Sequence, residues 1–69
     1  MGRSKIVEVD CEVEHSTDKA YLVSTGTTKE PVWVPKSVVD DYSFDTVNGA
    51  EVITSIFIPE FIAIEKGLI

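Results

Sequence analysis

The sequence predicts a small α+β domain that is mainly β, with four to five short antiparallel strands and one helix at the C-terminus. Two long segments rich in β-branched residues, 5–15 and 51–58, bracket shorter apolar runs that turn residues separate. A proline, an acidic residue, a lysine and a glycine frame the last segment as a helix. Because 69 residues can bury only a thin core, we expect a single domain over 1–69.

The first predicted strand, 5–15, carries the most regular pattern of the chain. Its odd positions are apolar from Val7 to Val13, and four carboxylates occupy alternate positions: Glu8, Asp10, Glu12 and Glu14. Successive side chains of a strand point to opposite faces, so we expect one apolar face and one acidic face. The carboxylates would repeat every 6.8 Å or so and form a row about 20 Å long.

Shorter elements follow in the middle of the chain. A turn at 16–18 leads to a second strand over 19–25 and a loop over 26–30. Prolines bound a third strand, 31–35, and confine it to an edge or to a sharply bounded position because proline cannot donate to a ladder. We then expect one helical or 3₁₀ turn at 35–39, an irregular acidic loop at 40–45, and a tight type I′ reversal at Asn48-Gly49.

The last strand and the helix complete the predicted fold. Nearly every position of 51–58 is apolar, which is typical of a central strand covered on both faces. The helix begins near Pro59 and ends before Gly67, and we expect Phe61 and Ile64 to dock it on the sheet while Leu68 and Ile69 seal an edge. The result is a small bent antiparallel sheet, an SH3-like or OB-like half-barrel, with the helix as a lid.

Composition restricts the partners and the location. Twelve acidic residues against six basic ones give a net charge of −6, which repels nucleic acids and anionic membranes and favours basic partners.

Cys11 is the only cysteine, so an internal disulfide is impossible. No apolar run reaches the roughly 20 residues of a membrane span, and no signal-peptide pattern follows residues 1–5. We expect a cytoplasmic monomer or weak homodimer, since acids on the first strand oppose its pairing with a second copy.

The residue pattern contains no catalytic, cofactor-binding or metal-binding set. His15 and Cys11 would lie about 13 Å apart on one face of the first strand, beyond the reach of a nucleophile and its base. Asp40, Asp41 and Asp45 cluster without an EF-hand pattern. We therefore predict that the protein is not an enzyme.

The acidic face has two interpretations. Charges on an edge strand prevent sheets from joining edge to edge, which would explain the row without a partner. Alternatively, the row resembles the line of phosphates along a nucleic-acid strand and could occupy a phosphate-binding groove. Four like charges on one face repel one another, and this cost slightly favours the interpretation that the row binds a partner.

Direct binding of single-stranded nucleic acid is an alternative function. Small β-barrels stack bases on aromatic side chains inside a basic groove. Trp33 and Tyr21 could stack bases, and three lysines flank the second and third strands: Lys19, Lys29 and Lys36. The excess of acidic residues argues against this alternative.

Three blocks of the sequence resemble small domains encoded by phages and mobile elements. They read KAxLV at 19–23, VWVPKS at 32–37 and PEFIAxxKGLI at 59–69, with Phe61 where those domains often have tryptophan. These domains have no assigned activity, so the resemblance transfers no functional residue. In size and acidity the chain is also similar to phage anti-CRISPR proteins, several of which imitate DNA on CRISPR effectors.

We therefore predict a non-enzymatic, acidic, phage-type interaction protein that inhibits a nucleic-acid-binding complex of the host, such as a CRISPR effector complex, as a DNA mimic. The alternative is an accessory β-domain of phage replication or recombination that binds single-stranded nucleic acid. No cofactor is expected. The predicted partner-binding residues are Glu8, Asp10, Glu12, Glu14, Trp33, Asp40, Asp41 and Asp45.

Overall fold

A computed structural model describes residues 5–69; the basic N-terminal stretch 1–4 lies outside the described residues. The predicted class, a small and mainly β domain with a short C-terminal helix, is confirmed. The sheet is divided, however, and the described residues form six strands rather than four to five. In chain order they are β1 (Ile6–Asp10), β2 (Glu12–Ser16), β3 (Ala20–Ser24), β4 (Val32–Pro35), β5 (Asp41–Val47) and β6 (Ala50–Pro59).

The strands form two antiparallel three-stranded sheets. Sheet A has the order β1-β6-β5, and sheet B has the order β2-β3-β4. A 3₁₀ turn, Lys36–Val38, connects β4 to β5 as predicted, and helix α1, Glu60–Glu65, follows β6. The edge position predicted for 31–35 and the central position predicted for 51–58 are both confirmed by this order.

The predicted continuous strand over 5–15 is wrong. The strand ends at Asp10 in sheet A, and a new one begins at Glu12 in sheet B. At the break, the backbone N–H of Cys11 donates to the carbonyl of Thr54 at 3.1 Å, so the change of sheet leaves this group paired. Alternation of apolar and acidic residues continues across Cys11, which is why the sequence pattern does not reveal the break.

The hydrophobic core lies between the inner faces of the two sheets and under helix α1. Sheet A contributes Val9, Ile56 and Ile58, and sheet B contributes Val23 and Val34. Ala63 of helix α1 and Leu68, which follows the helix, complete the core. Full burial of a valine, leucine or isoleucine stabilises the fold by about 1.5–3 kcal/mol relative to exposure, so these few side chains carry most of the hydrophobic term.

The β5–β6 hairpin corrects one prediction and confirms another. Residues 40–45 do not form an irregular loop, because all but Asp40 belong to β5, which pairs with β6 along its length. Asn48 and Gly49 have positive φ angles of 52° and 82°, which confirms the type I′ turn. The turn fixes which residues of β5 and β6 pair. The hydrogen bonds between the two strands then outweigh the low β-propensity of the aspartates. The expected burial of β6 on both faces holds only toward its end, since Val52 and Thr54 are exposed.

Helix α1 lies where the sequence predicted it but presents the opposite face to the sheet. Phe61 and Ile64, expected to dock, are 57% and 60% exposed, whereas Ala63 is buried. The chain leaves the helix through Gly67 at φ 74°, and the N–H of Leu68 donates to the carbonyl of Ala63 at 2.8 Å. This Schellman turn carries Leu68, which was expected to seal a sheet edge, into the core and leaves Ile69 exposed.

Candidate interaction surface

The first half of the acidic pattern lies on the outer face of sheet A. Val9 is buried, so its neighbours Glu8 and Asp10 point away from the core, and both are exposed. Glu8 lies opposite Phe57 and Asp10 lies opposite Ser55 on β6. The Ser55 hydroxyl donates to Oε2 of Glu8 at 2.7 Å, which holds this exposed carboxylate against its sheet.

The second half lies on the outer face of sheet B. Glu12 is opposite Ser24, which points outward because the adjacent Val23 is fully buried. The Ser24 hydroxyl donates to Oε2 of Glu14 at 2.7 Å, so Glu14 shares that face. Together the four exposed carboxylates define what we term the acidic strip: Glu8, Asp10, Glu12 and Glu14.

The acidic strip is not the straight, evenly spaced row that the sequence predicted. It crosses from sheet A to sheet B at Cys11, and an irregularity of register between Val13 and His15 displaces its end. The two serine hydrogen bonds fix the carboxylates of Glu8 and Glu14, at opposite ends of the strip. The result is a bent line of negative charge with anchored ends.

Trp33 lies on the same outer face of sheet B as the second half of the strip. It is opposite Leu22, which in turn is opposite His15, so the three side chains form a row across the sheet. The rings of His15 and Trp33 meet edge to face, with centroids 6.2 Å apart and an interplanar angle of 83°. Trp33 is 46% exposed, and its indole is therefore available for contact on the face of sheet B that also carries Glu12 and Glu14.

His15 is exposed at the end of β2, as its position at the end of the predicted strand indicates, but its place beside Trp33 was not predicted. Simple alternation puts it on the apolar face with Cys11. The register irregularity after Val13 instead places His15 opposite Leu22, on the outer face beside Trp33. No signal in the sequence marks this bulge, because Val13-Glu14-His15 fits an unbroken strand equally well.

The three aspartates predicted as a second patch do not form one cluster. Asp41 is opposite Phe57, which is also opposite Glu8, so Asp41 shares the outer face of sheet A with the acidic strip. Two strand spacings, about 10 Å, separate its backbone from that of Glu8. Asp40 precedes β5 and borders a groove, and Asp45 lies further along the hairpin.

The remaining reactive groups lie apart from this surface. Burial raises the pKa of the half-buried Cys11 thiol, and the nearby Asp10 carboxylate raises it further, so the thiol is protonated at neutral pH.

Within residues 5–69, no group of three or more His, Cys, Asp or Glu side chains is arranged to hold a metal ion. In that part of the chain, no helix has the length and apolar character needed to cross a membrane.

Comparison with protein-family models, with curated proteins and with solved structures gives no match to this chain. Its most distinctive surface is the acidic strip with Trp33 beside it.

Proposed function

We propose that this protein is a non-enzymatic interaction protein that acts in the cytoplasm of a host cell and blocks a basic nucleic-acid-binding protein. Its concrete target would be a CRISPR effector complex, whose nucleic-acid groove the acidic strip enters as a DNA mimic. The observation that carries the proposal is the exposure of all four strip carboxylates beside a half-exposed tryptophan.

Electrostatics supports a basic partner. A groove that binds phosphates presents lysine and arginine side chains, and a bent line of carboxylates offers complementary charge to that groove. The net charge of −6 adds long-range attraction to a basic partner. Aromatic side chains dominate binding energy at interfaces, so Trp33 is suited to anchor the contact beside Glu12 and Glu14.

The serine hydrogen bonds favour recognition over simple protection of a sheet edge. The acidic strip runs along β1 and β2, which are edge strands of their sheets, so charge alone would already discourage edge-to-edge pairing. Protection needs no defined carboxylate position. Ser55 and Ser24 nevertheless hold Glu8 and Glu14 at 2.7 Å, and fixed charges lose less side-chain entropy on binding than mobile ones.

The arrangement of the aromatic residues is less suited to the alternative, an accessory domain that binds single-stranded nucleic acid. Tyr21 is opposite Val34 and Trp33 is opposite Leu22, so the two rings lie on opposite faces of sheet B and share no stacking platform. The Lys36 ammonium covers the Tyr21 ring at 4.8 Å from its centroid. Trp33 shares its face of sheet B with Glu12 and Glu14, whose negative charges repel phosphates.

A competition experiment tests the proposal. A purified CRISPR effector complex is bound to a labelled DNA duplex, and displacement of the DNA is measured as this protein is added. We expect the wild type to displace DNA, and we expect displacement to weaken steeply as salt is raised from 50 to 500 mM or so, because salt screens exposed charges. The test variant neutralises the strip: Glu8→Gln, Asp10→Asn, Glu12→Gln and Glu14→Gln.

The matched control removes the same charge elsewhere: Asp18→Asn, Glu30→Gln, Glu60→Gln and Glu65→Gln. We expect the control to displace DNA like the wild type and the strip variant to lose displacement. Equal loss in both variants would show that net charge alone acts, and would contradict the proposal. If the wild type instead binds an oligonucleotide and Trp33→Ala abolishes that binding, the accessory nucleic-acid function replaces it.

A further inference from the structure

Two hollows adjoin Tyr21 on the inner side of sheet B. The first encloses about 180 Å³ between Tyr21, Lys36 and the start of β5, where Asp40, Asp41 and Tyr42 border it. The second encloses about 290 Å³, and Tyr21 again borders it together with Glu51, Val52 and Ile53. Tyr21 borders both hollows, and we term the two hollows together the inner groove.

The inner groove adjoins the acidic strip but lies on the other side of sheet B from Trp33. A third hollow, lined by Glu12 and Glu14, shares Val13, Val52 and Ile53 with the second hollow of the groove. Tyr21 is opposite the fully buried Val34, so it points to the core side of sheet B, whereas Trp33 points to the outer side. A ligand in the inner groove would therefore contact the surface on the far side of sheet B from Trp33. Glu8 and Asp10 border neither hollow of the inner groove, so substitutions there test the acidic strip separately.

The inner groove is acidic at both ends, and between them lie the Tyr21 ring with the Lys36 ammonium on one face and the aliphatic surface of the second hollow. Tyr21 stands between the hollows, and Val52 and Ile53 add aliphatic surface to the second. Exposed carboxylates border each hollow, Asp40 and Asp41 at the first and Glu51 at the second. Such a surface complements a ligand that is apolar in its centre and positively charged on both sides.

Lys36 provides an internal example of this recognition. Its ammonium lies 4.8 Å from the centroid of the Tyr21 ring, within the range at which a cation is attracted to the face of an aromatic ring. In the same hollow, Tyr42 is 41% exposed and lies next to Asp41. The hollow therefore offers a second aromatic ring and two carboxylates to an incoming cation.

We propose that the inner groove binds a short extended peptide of a partner protein, in which arginine or lysine residues flank an apolar residue. The apolar side chain contacts Val52 and Ile53, and the flanking cations contact Asp40 and Asp41 at one end and Glu51 at the other. This inference goes beyond the proposed function, because it assigns a second binding surface that does not use the acidic strip.

A nuclear magnetic resonance titration with a blocked Arg-Leu-Val-Leu-Arg peptide tests the proposal. We expect saturable shifts of the Tyr21, Tyr42 and Ile53 signals, no shift of the Trp33 indole, and no binding of a Glu-Leu-Val-Leu-Glu peptide. Tyr42→Ala should weaken binding about fivefold, the equivalent of one cation–π contact. Because Tyr42 is half-exposed, this variant is expected to keep the fold, which the unchanged Trp33 signals would verify.

Two charge-matched double variants separate the groove from general attraction. Asp40→Asn with Asp41→Asn removes two charges at the groove, and Glu8→Gln with Asp10→Asn removes two charges from the acidic strip. We expect only the first pair to weaken peptide binding, and we expect the strip variant to bind peptide even if it no longer displaces DNA. Equal weakening in both pairs, shifts centred on Trp33, or a lack of saturation would overturn the proposal.

Discussion

The hydroxyl of Ser55 donates a 2.7 Å hydrogen bond to the carboxylate of Glu8 across the β1–β6 pair. Ser55 is only 2% exposed, whereas Glu8 is exposed, so a buried donor holds a surface charge in place. Ser24 and Glu14 repeat the arrangement on sheet B, at the other end of the acidic strip. In each sheet, a serine hydroxyl thus holds a glutamate of the acidic strip. The hydrogen bond is partly buried in sheet A and exposed in sheet B.

Removal of the Ser55 hydroxyl should destabilise the fold more than removal of the Ser24 hydroxyl. We expect Ser55→Ala to lower the free energy of unfolding by about 1–2 kcal/mol, because it deletes a partly buried hydrogen bond to a charged acceptor. Ser24→Ala serves as the control and should change it by less than about 0.5 kcal/mol, since water replaces an exposed donor. Urea unfolding measures both, and equal losses would contradict the assigned difference in burial.

The type I′ turn should make Gly49 sensitive to substitution. Gly49 has a φ of 82°, where an added Cβ is disfavoured, so Gly49→Ala should cost about 1–2 kcal/mol of stability. Gly26→Ala is the matched control, because nothing lies within 4 Å of its added Cβ and its φ is not in the left-handed range. Thermal unfolding should show a lower midpoint for the Gly49 variant only. A lower midpoint for both variants would argue against strain at the turn as the cause.

Two isoleucines test the position of the core. Ile58 is fully buried on β6, and Ile64 is 60% exposed on helix α1. We expect Ile58→Ala to cost about 2–5 kcal/mol through lost burial and a residual cavity, and Ile64→Ala to cost less than about 1 kcal/mol. Denaturant unfolding compares identical changes at the two sites. A large loss at Ile64 would mean that the helix docks through Phe61 and Ile64 after all.

The thiol of Cys11 should react slowly and show an alkaline pH dependence. Burial, and then the Asp10 carboxylate, raise its pKa above the ordinary value of 9.0. The rate of alkylation by iodoacetamide should therefore have a midpoint above pH 9, because the thiolate is the nucleophile. Asp10→Asn should increase the rate at pH 9, and Asp18→Asn, a control remote in sequence, should not. A midpoint at or below 9.0 would show that the thiol is not desolvated.

The same shift affects stability at high pH. The folded chain binds the thiol proton more tightly than the unfolded chain, so this contribution is fully present below pH 9.0. It is lost as the pH rises through the higher folded pKa. We expect Cys11→Ser to flatten this part of the stability profile, which denaturant unfolding at pH 8 and above would measure.

Much of the fold follows from local chemistry and could be predicted from the sequence. The type I′ turn depends on Asn48 and Gly49, which tolerate positive φ, and the helix depends on Pro59 at its start and Gly67 beyond its end. The exposure of the four strip carboxylates follows from alternation, since the apolar side chains of the same segment select the inner face. These features need only neighbouring residues along the chain.

Other features depended on pairing between distant segments. The assignment of Asp41 and Asp45 to β5 required the ladder with β6, because aspartate itself disfavours strands. The sharing of one face by His15 and Trp33 required the bulge in β2 and the register of β3 with β4. Phe61 and Ile64 are three residues apart and therefore lie on one face of the helix. Their spacing does not decide whether this face packs on the sheet, and in the structure both side chains are exposed.

The sequence by itself determined the class of the domain, the turns, the helix and the charge of the surface, because each depends on local backbone preference or on composition. Only the tertiary structure decided that the first strand divides at Cys11 and that the acidic strip bends between two sheets. It alone brought Tyr21 and Tyr42 to the same hollow. The physical reason is that an alternating pattern states which face of a strand is buried, whereas the choice of partner strand and register is made by contacts between residues far apart in the chain.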